Sequence, residues 1–178
     1  MSRYEDPQMP FIEAHHQGKK QKPTAIILSP SFTTSAKGAA LGVAMNWHSK
    51  SSPHESGHYT VDEVERYRTT SDKRVAGHWH CSRKGAIRIM ICAEPYSAGT
   101  FWHDDVHRPV LQKTAELVAE LSLVHRIKVV YFTPSSFDRW AERPSRRRGG
   151  LLVDAPEGWP WQRFYNDVMA QRALKTPI

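Results

Sequence analysis

Apolar residues fall along this chain in runs whose spacing predicts strands and helices in alternation. Ala25-Ile26-Ile27-Leu28 is short and continuous, as in a buried strand, and Pro30 and Ser31 interrupt it. Ala36 to Trp47 is alanine-rich, with Leu41, Ala44, Met45 and His48 near helical spacing, and predicts a helix. A loop with Pro53 and Gly57 follows. His58 to Val61, Glu63 to Thr69 and Arg74 to Cys81 read as short strands, and Gly85 to Cys92 as a central one.

The strongest helix signal runs from Asp104 to Arg126. Leu111, Ala115, Leu117, Val118, Leu121 and Val124 form one apolar face, with Asp104 and Asp105 in the expected first turn and Arg126 in the last. Lys128 to Phe132 predicts a strand, Ser136 to Glu142 a short helix, and Leu151-Leu152-Val153 an edge strand. Pro160 to Leu174 closes the chain as an amphipathic helix carrying Trp161, Phe164, Val168 and Met169. This order predicts an α/β fold, with a mixed central β-sheet flanked by helices.

Residues 1–23 are polar and aperiodic, and predict a flexible basic arm ahead of one domain over residues 24–178. A chain of 178 residues suffices for a single core. No apolar run approaches the ~18 residues needed to span a bilayer, so no membrane partner is expected. The first 21 residues lack the apolar segment of a Sec-type signal, so synthesis in a cytoplasm is expected. Cys81 and Cys92 make no disulfide framework; they read as two half-buried thiols, with a single bridge between neighbouring strands left open.

The net charge of +7 favours anionic partners: nucleic acid, teichoic-type polymers, anionic cell wall or an acidic protein surface. Its clusters are Lys19, Lys20 and Lys22, and a run from Arg143 that includes Arg146, Arg147 and Arg148. Both are candidate anion-binding groups, although short basic runs are usually only solvated.

Three histidine pairs have spacings relevant to metal binding. His78 and His80 share one strand face, with His58 or Cys92 as a further ligand, but a pair of strand-face histidines is the simpler reading. His103 and His107 have two-ligand helical spacing without the glutamate base of an H-E-x-x-H motif. His15-His16 reads as part of a solvated arm. Trp159, Trp161, Phe164 and Tyr165 suit a sugar or partner platform, or more simply the anchoring of a terminal helix. No nucleophile elbow, P-loop or dinucleotide motif occurs.

Several segments, in order, resemble the zinc-dependent N-acetylmuramoyl-L-alanine amidase and peptidoglycan-recognition family, above all the amidase domains of actinobacterial phage lysins. Ala25-Ile26-Ile27-Leu28-Ser29 resembles the first strand, and Gly38 to Trp47 the next helix. Ser56-Gly57-His58-Tyr59-Thr60-Val61-Asp62 resembles "S-x-H-Y-x-V-D", the most specific piece. Trp79-His80 resembles the "W-H" bordering the substrate groove, and Ile87-Arg88-Ile89-Met90-Ile91 sits where "I-G-I-E-L" is expected. Val110 to Val130 resembles the long helix and the approach to the next strand, and Gly158 to Phe164 the closing "F-P-W-D-R-F".

The departures fall on the metal site. The resemblance implies histidine where Ser29 stands, and a second histidine and then a Cys or Asp in the late segment, where Val153 and Asp154 stand and only Asp154 could serve as a ligand. Met90 occupies the place of the central glutamate. Catalytic zinc takes about three protein ligands and an open water position, and one carboxylate with a neutral hydroxyl falls short. The expectation is a degenerate amidase-like protein without catalytic residues, metal or cofactor. It would serve as a structural or accessory part of a phage particle, capsid or tail, contacting other phage subunits. Two alternatives stand beside it. One is an active zinc endolysin that cleaves peptidoglycan. The other is a metal-free module gripping peptidoglycan through a groove of His58, Tyr59, Trp79 and His80. Nucleic acid is a further candidate partner through the basic arm.

Overall fold

A computed structural model describes residues 9–32, 38–50, 56–77, 85–93, 105–129, 150–153 and 159–176, with backbone alone at 30–32, 106 and 152–153. The strands are β1 (Gln17–Lys20), β2 (Ala25–Phe32), β3 (Tyr59–Val61), β4 (Arg66–Arg68), β5 (Arg74–Ala76), β6 (Ala86–Ala93) and β7 (Leu151–Val153). The helices are α1 (Ala39–His48), α2 (Arg108–Val124) and α3 (Trp161–Lys175).

Five strands form a mixed sheet in the order β4-β3-β6-β2-β7. β3, β6, β2 and β7 run parallel, and β4 closes one edge antiparallel to β3. The expected α/β architecture is therefore the one found. β2 and β6 are the central strands and are covered on both faces, which explains their continuous apolar sequence.

On one face, Ile26, Leu28, Ile87, Ile89 and Ile91 pack against α2 and α3 through Leu117, Val118, Phe164 and Val168. The predicted α2 stripe is buried except for Val124, which is 42% exposed. Glu120 of α2 receives Lys175 at 2.8 Å and Arg66 at 3.2 Å, tying the helix to α3 and to the sheet edge. On the other face, α1 lays Ala39, Ala40 and Ala44 against Tyr67 and Cys92. Trp47 anchors its last turn; a Cβ on Gly57 would stand 2.7 Å from the indole, so that position must be glycine.

Element ends differ from the sequence reading for local reasons. α2 starts at Arg108, after a 3-10 turn at Asp105–His107, so Asp105 precedes the helix; Asp104 lies outside the described residues. Arg126 is past the helix end with φ 54°, the left-handed position that glycine usually takes. The strand expected over 63–69 shrinks to Arg66–Arg68 because Asp62 holds a turn through Glu65. Lys128 and Val129 are not in a strand, and residues 130–132 and the helix expected over 136–142 lie outside the described residues.

The largest correction concerns the arm. From Phe11 onward it is part of the fold. Phe11 bridges to Arg68, whose guanidinium lies 4.7 Å over the phenyl ring. Ala14 is buried, with its N–H donating to the Thr69 carbonyl at 2.7 Å. β1 pairs antiparallel with β5. Backbone bonds and a few scattered apolar contacts, Ile12 on the α1 cluster and buried Ala14, hold this segment, so no hydrophobic period announces it.

Candidate functional site

In open α/β sheets, ligands collect at the carboxyl ends of parallel strands. Here that edge is formed by β3, β6, β2 and β7. Register places Ser29 beside Met90, and Met90 beside Thr60, so the three share one row across the sheet. Val153 pairs with Leu28, one residue short of that row. Met90 packs toward α1, and the Thr60 hydroxyl donates to the Ala40 carbonyl at 2.9 Å. Ser29 is 3% exposed.

This row does not fit zinc. A thioether and two buried hydroxyls offer neither imidazole, thiolate nor carboxylate. Cys92, two residues further along β6, is a free buried thiol. Burial, with Asp62 nearby, pushes its pKa up to about 12, so it remains a neutral thiol. No three His, Cys, Asp or Glu side chains converge among the described residues. Asp154 lies outside them.

Asp62 stands beside the row and is fully buried. Its Oδ2 accepts from the Ala40 N–H at 3.0 Å, and its Oδ1 from the Val64 and Glu65 N–H groups at 2.8 and 2.7 Å. The residue before α1, Gly38, makes no side-chain cap. Asp62 therefore caps α1 from a distant strand, with its carboxylate at the positive end of the helix dipole.

A second polar constellation sits toward the amino end of β6. His58 is buried, and its Nδ1 accepts from the Arg88 N–H at 3.0 Å. Its Nε2 must then carry the proton, which it donates to the Arg74 carbonyl at 2.8 Å. The Gln21 amide nitrogen is 3.1 Å from the same Nε2, but it donates to the Asp72 and Ala86 carbonyls, so that approach is packing. Burial lowers the His58 pKa, outweighing the raising effects of the Arg74 carbonyl and Asp72, and the ring is neutral.

Beside it, Asp72 accepts from the Tyr59 hydroxyl at 2.8 Å and faces His125 Nε2 at 2.7 Å. Burial pushes its carboxyl up, but the bonds from His125 and Tyr59 outweigh that and hold it below the usual range. The cluster clamps the β4–β5 turn to the end of α2.

His58 and Tyr59 are 1% and 4% exposed. Both side chains, expected in a substrate groove, are spent on internal bonds. Trp79 and His80, the rest of that groove, lie outside the described residues, as do His78, Cys81, His103, Arg146, Arg147 and Arg148. Of the metal readings, His58 is committed to the backbone, and His15 and His16 stack edge to face at 4.8 Å. Trp159 and Phe164 are buried against each other, 5.2 Å between rings, and anchor α3. Lys19, Lys20 and Lys22 are all exposed. Asp72 and His125 escaped the sequence reading because 53 residues separate them and neither falls in a motif.

No family model matches the sequence, and no curated protein matches it. Solved structures do. The catalytic domain of XlyA superposes with a TM-score of 0.64 at 16% identity, covering 90% of this chain and 98% of that one. A mutant endolysin from Bacillus subtilis gives 0.62 at 18% identity, covering 90% and 97%. The N-acetylmuramoyl-L-alanine amidase LysC from Clostridium intestinale gives 0.56 at 11% identity, covering 92% and 98%. At such identities the likeness establishes the fold: this chain has the architecture of amidase and endolysin catalytic domains.

Proposed function

We propose that this protein keeps the amidase fold without amidase chemistry, and acts by contact as a structural or accessory protein of a bacteriophage particle. One observation carries the loss of chemistry: the Thr60–Met90–Ser29 row, where the resemblance expects histidine and glutamate. Without an ion there is no water of lowered pKa and no Lewis acid on the amide carbonyl. The phage setting draws its support from the likeness to endolysin domains. Synthesis in the host cytoplasm and incorporation into the virion follow from it.

Peptide mapping of purified particles tests the contact role. The protein is expected at a fixed copy number per particle and absent from particles of a deletion mutant. Recovery only from the lysate, never from particles, would overturn the role. The second reading, a working zinc endolysin, is favoured by the fold likeness and needs ligands from segments such as the one holding Asp154.

A further inference from the structure

The charged side chains expected on a loose arm are instead set on a rigid ribbon. β1 and β5 pair Gln17 with Ala76 and Lys20 with Arg74, so one extra residue of β1 is accommodated between those pairs. Lys20 thus stands opposite Arg74, with Lys19 beside it in the bulged stretch. The Gln21 N–H then donates to the Lys73 carbonyl at 2.7 Å, and Lys22 follows. Lys19, Lys20, Lys22, Lys73 and Arg74 are all exposed. Among the described residues none of the five makes an ion pair.

Gln21 fixes the ribbon to the domain. Its side chain turns inward, accepting from the Gly85 N–H at 2.8 Å and donating to the Asp72 and Ala86 carbonyls at 3.1 Å. Its neighbours Lys20 and Lys22 are thereby exposed, about 7 Å apart along an extended chain. Two carboxylates stand nearby among the described residues: Asp72, engaged by Tyr59 and His125, and exposed Glu13, which accepts from neutral Gln17 at 2.9 Å; five cations thus face two anions. Arg74 also lines a pocket of about 430 Å³ together with Glu13, His15 and His48.

We infer that the bulged β1–β5 ribbon is a docking surface for the phosphate backbone of double-stranded DNA. The paired backbone fixes where the cations project, and B-DNA offers one charge per ~1.7 Å of axis, so each cation finds a phosphate within reach in any register. No aromatic side chain occurs in residues 17–22 or 73–76, so the ribbon has no platform for stacking single-stranded bases. None of the large exposed apolar side chains lies on it, so it lacks the desolvated centre of a protein interface. Binding is therefore electrostatic and blind to sequence. The inference rests on the ribbon alone and is independent of the contact role in a particle.

Fluorescence anisotropy of the full chain with a labelled duplex of about 30 base pairs, between about 50 and 200 mM salt, tests it. With four to five contacts, log K is expected to fall with log salt at a slope of about −3.5 to −4.5. Joint Lys20→Gln and Arg74→Gln substitution is expected to flatten the slope by about 2 and weaken binding about 50-fold near 0.1 M salt. The Lys19→Gln and Lys22→Gln pair should do the same, with unchanged melting temperatures showing that both variants fold. Four outcomes would overturn the inference. They are no duplex binding at the lowest salt, binding unchanged in both ribbon variants, loss only on neutralising Arg146, Arg147 and Arg148, and capture of teichoic polymer or acidic protein but not the duplex.

Discussion

Asp62→Ala is expected to lower the melting temperature by on the order of 10 °C, more than any surface substitution in the chain. The carboxylate accepts three backbone N–H groups and is fully buried. Alanine leaves the buried Ala40 N–H without a partner, costing roughly 1–3 kcal/mol, and frees the part-buried Val64 and Glu65 N–H groups, which undoes the turn at a smaller cost each. It also strips the cap from α1, whose own N-cap residue makes no side-chain bond. A total of about 3–5 kcal/mol is a large share of the 5–15 kcal/mol that stabilises a typical domain. At 2–4 °C per kcal/mol for a chain of this size, the shift follows. Differential scanning calorimetry measures it. Asp62→Asn, which keeps one acceptor, should lose less; losses equal to those of alanine would show that the single oxygen kept by asparagine contributes nothing.

His58→Leu is expected to cost about 3–4 kcal/mol and to change the pH dependence of stability as well. Leucine fills much of the space but leaves the Arg88 N–H and the Arg74 carbonyl unbonded. These bonds join β6 to β5 where the β3–β6 ladder begins, and the His58 backbone also meets Arg88 and Thr69. The pH term has a definite sign. The folded pKa is lowered while the unfolded value is near 6.5. Below pH 6.5 the unfolded chain takes up a proton that the folded chain refuses. The stabilisation is thus complete above pH 6.5 and is lost as pH falls toward the lower folded value. Urea unfolding between pH 7.5 and 5, at ~0.5-unit steps, should show wild type losing stability faster than the leucine variant. Parallel slopes would mean that His58 does not titrate differently in the two states.

How much was legible in the sequence follows from which forces shape each segment. β2, β6 and the body of α2 declared themselves because burial imposes a continuous run on a covered strand and a 3.6-residue period on a helix. β1, with Gln17, Gly18, Lys19 and Lys20, carries no apolar residue; backbone pairing and one inward glutamine hold it, and neither leaves a period. The site divides the same way. Ser29 and Met90 were readable as departures because a motif fixed their positions, and the register then put them side by side. His58 and Asp62 were readable as motif residues but not as internal supports, since hydrogen-bond partners 30 and 22 residues away leave no trace in spacing. Asp72 and His125 lacked even a motif.

The proposed protein keeps the amidase fold without the amidase metal. Zinc content by mass spectrometry, on tag-free protein exposed to zinc and then desalted, tests this most directly beside a cell-wall hydrolysis assay on the same sample. Far less than one zinc per chain is expected, with no release of L-alanine amino termini from muropeptides. About one zinc per chain together with cleavage would contradict it, and would place the metal ligands in segments beyond the Ser29–Met90 row.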